Sequence, residues 1–148
     1  MISRVSRILL LGAVTLAAQS SLADVAVVLV TDRSSPITSI GSLDVRKAYL
    51  GVSVTIKGNT VRAFRRSDNE RLNQIFLQSV IAMSERSYER RLLSLMLKFG
   101  TPRPEEVEDL DELLESLAER PSSIAYMWKS EAEAEPRVRI IRVLWQET

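Results

Sequence analysis

The chain has 148 residues, 45% of them hydrophobic and 26% charged, enough for one globular domain with its own core. Its 20 basic and 19 acidic residues nearly cancel, so there is no global field to attract nucleic acid. Histidine and cysteine are both absent, which removes the commonest general base and metal ligand together with disulfides and thiolate chemistry; a non-enzymatic protein with no metal and no cofactor is expected.

Residues 1–23 combine Arg4 and Arg7, an apolar run over 8–18, and small residues at Ser21 and Ala23, with no acidic residue before Asp24. This is the pattern of a cleaved secretory leader. The run is shorter than the ~20 residues a membrane-spanning helix needs. A periplasmic protein is therefore expected, with one domain over residues 24–148. Without the two leader arginines, that domain holds 18 basic residues against 19 acidic.

Residues 25–30 are rich in β-branched side chains and apolar on both faces, which predicts an interior strand in a parallel sheet. A polar loop around Ser34, Ser35 and Pro36 follows. Ser39 or Ser42 then caps a helix over 43–50 that turns Leu43, Val45, Ala48, Tyr49 and Leu50 inward and ends at Gly51. Residues 52–56 and 60–64 read as paired strands, joined by a turn in which Gly58 and Asn59 take positive φ.

The stretch 61–76, VRAFRRSDNERLNQIF, reads as strand, loop and helix, with Ser67 or Asp68 as the N-cap. Its inward set is Leu72, Ile75, Phe76, Ser79 and Val80, and the helix runs to about residue 82. A helix start offers unpaired amides and the positive end of the dipole, a place for an anion, and Arg65 and Arg66 stand beside it. Two readings of Arg65, Arg66 and Ser67 stay open: an oxyanion site, or an ordinary capped helix with solvated arginines. Asp68 is either the cap or the partner of Arg66.

Ser84 caps a helix over 85–98 with Tyr88, Leu92, Leu95, Met96 and Phe99 inward. Arg86, Arg90 and Arg91 form its wet face, paired with Glu85 and Glu89. Gly100, Pro102 and Pro104 make a rigid loop. Asp109 and Glu112 form a capping box for a helix whose buried stripe is Leu110, Leu113, Leu114 and Leu117, and Pro121 ends it. Strands over 124–128 and 138–145 flank an acidic turn over 131–135. The eight acidic and no basic residues of 105–119 keep the domain soluble or steer a partner; they lack the alternating spacing and central glycine of a calcium loop. Helices interleaved with short apolar strands predict an α/β three-layer sandwich with a mixed sheet, parallel apart from one antiparallel strand.

Several segments resemble, in order, those of phosphate-type substrate-binding proteins of ABC importers. Ser35-Pro36-Ile37-Thr38-Ser39-Ile40 with Leu43…Ala48-Tyr49-Leu50-Gly51 is similar to their "NP(V/I)SSLS…qL..IF.G" opening. Arg66-Ser67-Asp68…Phe76 is similar to their ligand turn "R-x-D-G-S-G-T…F", Phe99-Gly100 with Pro104 to "F.G…P", and residues 121–126 to "npgaIGYv". The chain departs from that pattern where Asn69-Glu70-Arg71-Leu72 replaces the Gly-Ser-Gly-Thr run and Ala125 replaces the glycine of "IGY".

The resemblance implies a single lobe of a type II periplasmic binding protein. It implies a phosphate-like small anion as ligand, held by Arg65, Arg66, Ser67, Asp68 and Asn69, with Ser34 and Ser35 as second donors. A homodimer would supply the missing second wall. The alternative is an accessory protein without a ligand that contacts a membrane transporter or sensor.

Overall fold

A computed structural model describes residues 25–148; the leader reading of residues 1–23 lies outside the described residues. The organising strand is β1 (Ala26–Asp32), buried on both faces. Its odd-numbered Val27 and Leu29 enter one core, and its even-numbered Val28 and Val30 enter the other, as the period of a strand requires.

The elements after β1 are α1 (Ser42–Tyr49), the hairpin β2 (Thr55–Ile56) and β3 (Asn59–Thr60), β4 (Arg62–Arg66), α2 (Glu70–Phe76) and α3 (Glu85–Phe99). Then come β5 (Glu105–Val107), α4 (Leu110–Glu119), β6 (Ser123–Trp128), α5 (Lys129–Glu133) and β7 (Val138–Gln146). The main sheet is ordered β5-β4-β6-β1-β7. β4 runs parallel to β5 and β6, whereas β1 is antiparallel to both of its neighbours. The one antiparallel strand of the mixed sheet is therefore the interior β1, contrary to its reading as a parallel strand: an apolar run records burial on both faces, not direction.

One face of the sheet is covered by Val45 and Tyr49 of α1, Leu72 and Phe76 of α2, and Tyr88 and Leu92 of α3. The other is covered by Leu113, Leu114 and Leu117 of α4 and Ala132 of α5. Each fully buried Leu or Val contributes about 1.5–3 kcal/mol, so both layers hold the sheet. The three-layer α/β architecture agrees with the sequence reading. Among the described residues no helix is long and apolar enough to cross a membrane.

Local departures have physical causes. Gly41, not a serine, is the N-cap of α1, and Leu43 in its first turn is exposed. In the β2–β3 turn the positive φ angles belong to Lys57 and Gly58; this hairpin stands apart from the main sheet. After α2 the helix widens into a π turn over Leu77–Ile81. The extra residue per turn rotates Leu77 and Ile81 inward and leaves Ser79 exposed. The sequence predicts no strand at β5, because an edge strand of sequence Glu-Glu-Val has no apolar period. α5 runs from the end of β6 into the acidic turn expected over 131–135.

Candidate functional site

β4 ends in the two arginines, and alternation along the strand sends them to opposite faces of the sheet. Arg65 goes to the α3 side. Its Nε donates to Tyr126 Oη at 3.2 Å and its Nη2 to Glu85 Oε2 at 3.4 Å; its Nη1 is 3.8 Å from Glu89 Oε1, and its guanidinium lies 4.9 Å from the centre of the Tyr88 ring. Arg66 goes to the α5 side and is 2% exposed. Its Nη2 donates to Glu131 Oε1 at 3.1 Å. Its Nε is 2.6 Å from Asp68 Oδ1 but misaligned for a hydrogen bond, so that contact is an ion pair alone. Its Nη1 is buried and has no hydrogen-bond partner among the described residues.

The segment after β4 is held by polar bonds. Ser67 donates through its amide to the Val107 carbonyl at 2.9 Å, extending the parallel pairing with β5. Asn69, rather than Ser67 or Asp68, caps α2, its Oδ1 accepting from the Leu72 amide at 3.0 Å. Asn73 Nδ2 donates to the Arg66 carbonyl at 2.8 Å, and its Oδ1 accepts from Tyr126 Oη at 2.6 Å. Tyr126 thus joins the arginine of one strand to the helix that follows it. Burial pushes its phenol pKa up, and the nearby Arg65 guanidinium pulls it partly back.

These groups surround a hollow of about 270 Å3 lined by Arg65, Arg66, Ser67, Glu70, Asn73, Gln74, Glu85 and Glu106. A larger hollow of about 320 Å3 lies at the other end of β4, against Arg62, Arg103 and the prolines of the α3–β5 loop; it contains neither candidate arginine.

Of the residues expected at the site, Arg65, Arg66 and Ser67 line the hollow. Asp68 is the partner of Arg66 and Asn69 is the helix cap. Ser34 and Ser35 do not join them. Because β1 runs against β6, the loop after β1 lies at the opposite end of the sheet from Arg66. There Ser34 bonds to Asp32, and Ser35 Oγ accepts from the Ile37 amide. Of the two readings left open, the one with solvated arginines does not hold: both arginines are buried and ion-paired. Sequence reading missed Glu131, Glu106, Asn73 and Gln74. Glu131 sits at the third position of α5, where its carboxylate also accepts from the Trp128 amide; the acidic run was the only trace of it.

No family model matches the chain, and no curated protein sequence matches it. Solved structures do. An ABC-type phosphate transport receptor from Vibrio cholerae is 10% identical, with a TM-score of 0.56, over 80% of this chain and 46% of its own. PstS from Borrelia burgdorferi is 17% identical, with a TM-score of 0.55, over 80% and 47%. A protein from Planctomyces limnophilus titled a possible phosphate binding protein is 11% identical, with a TM-score of 0.55, over 84% and 46%. The chain therefore spans less than half the length of each. Its fold is that of one lobe of a phosphate-type periplasmic binding protein, the likeness that residues 35–51, 66–76 and 121–126 had implied.

Proposed function

We propose that residues 24–148 form an exported, non-enzymatic binding protein of the periplasm that holds a small oxyanion carrying a proton, phosphate above all, through Arg66. The observation behind this reading is Arg66, a residue that lines the 270 Å3 hollow and whose buried Nη1 has no hydrogen-bond partner among the described residues. A buried donor left unpaired costs about 1–3 kcal/mol, which an oxyanion would recover.

The helix start contributes less than the sequence implied, because Asn69 and Val107 already take the Leu72 and Ser67 amides. The carboxylates of Glu70, Glu85 and Glu106 repel a fully ionised anion but accept a hydrogen bond from one that retains a proton. With donors from one lobe alone, affinity on the order of micromolar to millimolar is expected.

Titrating inorganic phosphate and sulfate while following thermal unfolding tests this. Phosphate at a hundredfold excess over its Kd stabilises by about 2.7 kcal/mol; sulfate, with no proton to share at neutral pH, stabilises less. Arg66→Gln abolishes the phosphate effect, and Glu106→Gln, a change at the exposed rim, narrows the gap between the two anions. If neither anion shifts the transition, the proposal fails.

The second reading is a ligand-free accessory protein that contacts a membrane transporter or sensor. It draws on Arg65, whose guanidinium is fully engaged by Glu85, Glu89 and Tyr126. Absence of any anion effect, with an inner-membrane protein retained on the purified chain, would favour it.

A further inference from the structure

Helix α3 runs past the edge of the core. Tyr88 and Leu92 are buried, but one turn further on the stripe emerges: Met96 is 40% exposed and Phe99 75%. On the outward side, Arg86, Arg90, Leu93 and Leu97 follow one another at i, i+4, i+7 and i+11 and make a single ridge. Leu93 is 46% exposed and Leu97 75%. Gly51 packs so closely against Thr101 that a Cβ there would lie 2.5 Å from the threonine methyl, and this contact brings the half-exposed Val52 beside the helix end. The result is a run of exposed apolar side chains on a protein whose other described helices, Leu43 of α1 apart, bury their large ones.

The charges around it are unbalanced. Glu85 reaches back to Arg65, and Glu89 reaches Arg65 and Arg103. Arg86, Arg90, Arg91 and Lys98 are exposed and have no carboxylate within ion-pair distance among the described residues. The expected pairing of these arginines with Glu85 and Glu89 is thereby corrected. A helix with apolar residues at its tip and unpaired cations along its flank needs a counterpart that is both anionic and apolar.

A second copy of the chain does not match that need. α4 offers Asp111, Glu112, Glu115 and Glu119 but no large exposed apolar side chain. α3 against α3 sets cation against cation. An anionic bilayer presents both features in layers, phosphate outside and hydrocarbon beneath.

We propose that the exposed C-terminal turn of α3 is a reversible docking surface for anionic phospholipid membranes, with Leu97 and Phe99, on opposite sides of that turn, entering the headgroup boundary tip-first and Arg90, Arg91 and Lys98 meeting the phosphates. The protein touches the membrane through this helix tip and does not span it.

Co-flotation of residues 24–148, which hold the whole sheet and both cores, with lipid vesicles tests the surface. The chain floats with vesicles of phosphatidylcholine and phosphatidylglycerol in equal parts, and not with phosphatidylcholine alone. High salt releases it. Leu97→Asp with Phe99→Ser abolishes flotation while leaving the melting temperature unchanged, because both side chains are mostly solvent-exposed. Each of Arg90→Gln and Arg91→Gln weakens partitioning by about fivefold. Arg66→Gln leaves flotation intact, and so does free phosphate at a concentration that saturates the thermal shift, which separates this surface from the oxyanion site. No flotation with the anionic vesicles, or flotation that survives Leu97→Asp/Phe99→Ser, overturns the proposal. So does a concentration-dependent doubling of mass that the same double substitution removes, since the face would then belong to a second copy.

Discussion

Arg65 and Arg66 are adjacent in sequence but lie on opposite sides of the sheet, and the Arg65 side is crowded with phenols. Tyr49 donates to the Phe64 carbonyl at 2.9 Å, Tyr88 to the Tyr49 carbonyl at 2.5 Å, and Tyr126 to Asn73. Phe76 stacks on Tyr126 at 3.7 Å and meets Tyr49 edge-on at 4.7 Å. These three are all the tyrosines of the chain, and burial raises the pKa of each above its ordinary 10.0. The folded chain therefore holds these protons more tightly than the unfolded one. The resulting stability is intact below pH 10 and falls as pH rises from there towards the raised folded values. In an alkaline titration the tyrosinate absorbance band should appear together with the loss of near-ultraviolet circular dichroism. Early, non-cooperative ionisation of even one phenol would show that its ring is not sealed. The sequence made the arginines legible as neighbours of a helix start. Apart from Asp68 it did not reveal their carboxylate partners, because Glu85, Glu89 and Glu131 come from two other helices whose placement depends on the sheet order.

At the scale of elements, the long helix predicted up to residue 82 illustrates what a periodic pattern misses. Leu72 and Phe76 fit the 3.6-residue repeat, but the next buried pair is Leu77 and Ile81, which fits only if the helix widens. No residue type signals an i→i+5 turn, so the inward set slipped by a position. The π turn ends at Ala82, whose φ of 59° and ψ of 40° place an exposed alanine in the left-handed region. That conformation costs a residue with a Cβ about 1–2 kcal/mol, against roughly 0.5–1 kcal/mol of extra chain entropy that glycine loses on folding. Ala82→Gly should stabilise the protein by about 0.5–1 kcal/mol, raising the melting temperature by a few degrees with no change in the vesicle or phosphate assays. A fall in melting temperature would mean that the methyl group makes a contact its exposure does not indicate. Elements with plain signals match the sequence reading: α4 has its Asp109 cap accepting from the Glu112 amide at 2.9 Å and, of its expected stripe, Leu113, Leu114 and Leu117 buried and Leu110 partly so. β5 shows the converse, an element that exists only because β4 is there to pair with it.

For the molecule as a whole, the alternation of helices with apolar strands was enough to give a three-layer α/β body with one antiparallel strand, while the identity of that strand depended on a chain path that no local pattern records. Composition has a further consequence at this scale. With no histidine and no cysteine, side chains of ordinary pKa leave the interval between carboxylates and phenols empty, apart from the amino terminus of the chain. The melting temperature without ligand should therefore be nearly flat from about pH 6 to pH 9. Inorganic phosphate does change its proton count in that interval. Any pH dependence of its stabilising effect then reports the ionisation of the ligand rather than of the protein. Because Glu70, Glu85 and Glu106 border the hollow beside Arg66, the form that keeps more protons is favoured, and the phosphate-induced shift should be larger at about pH 6 than at about pH 8. A larger shift at the higher pH would mean that the doubly charged anion is preferred, so that the arginines rather than the rim carboxylates govern selection at the site.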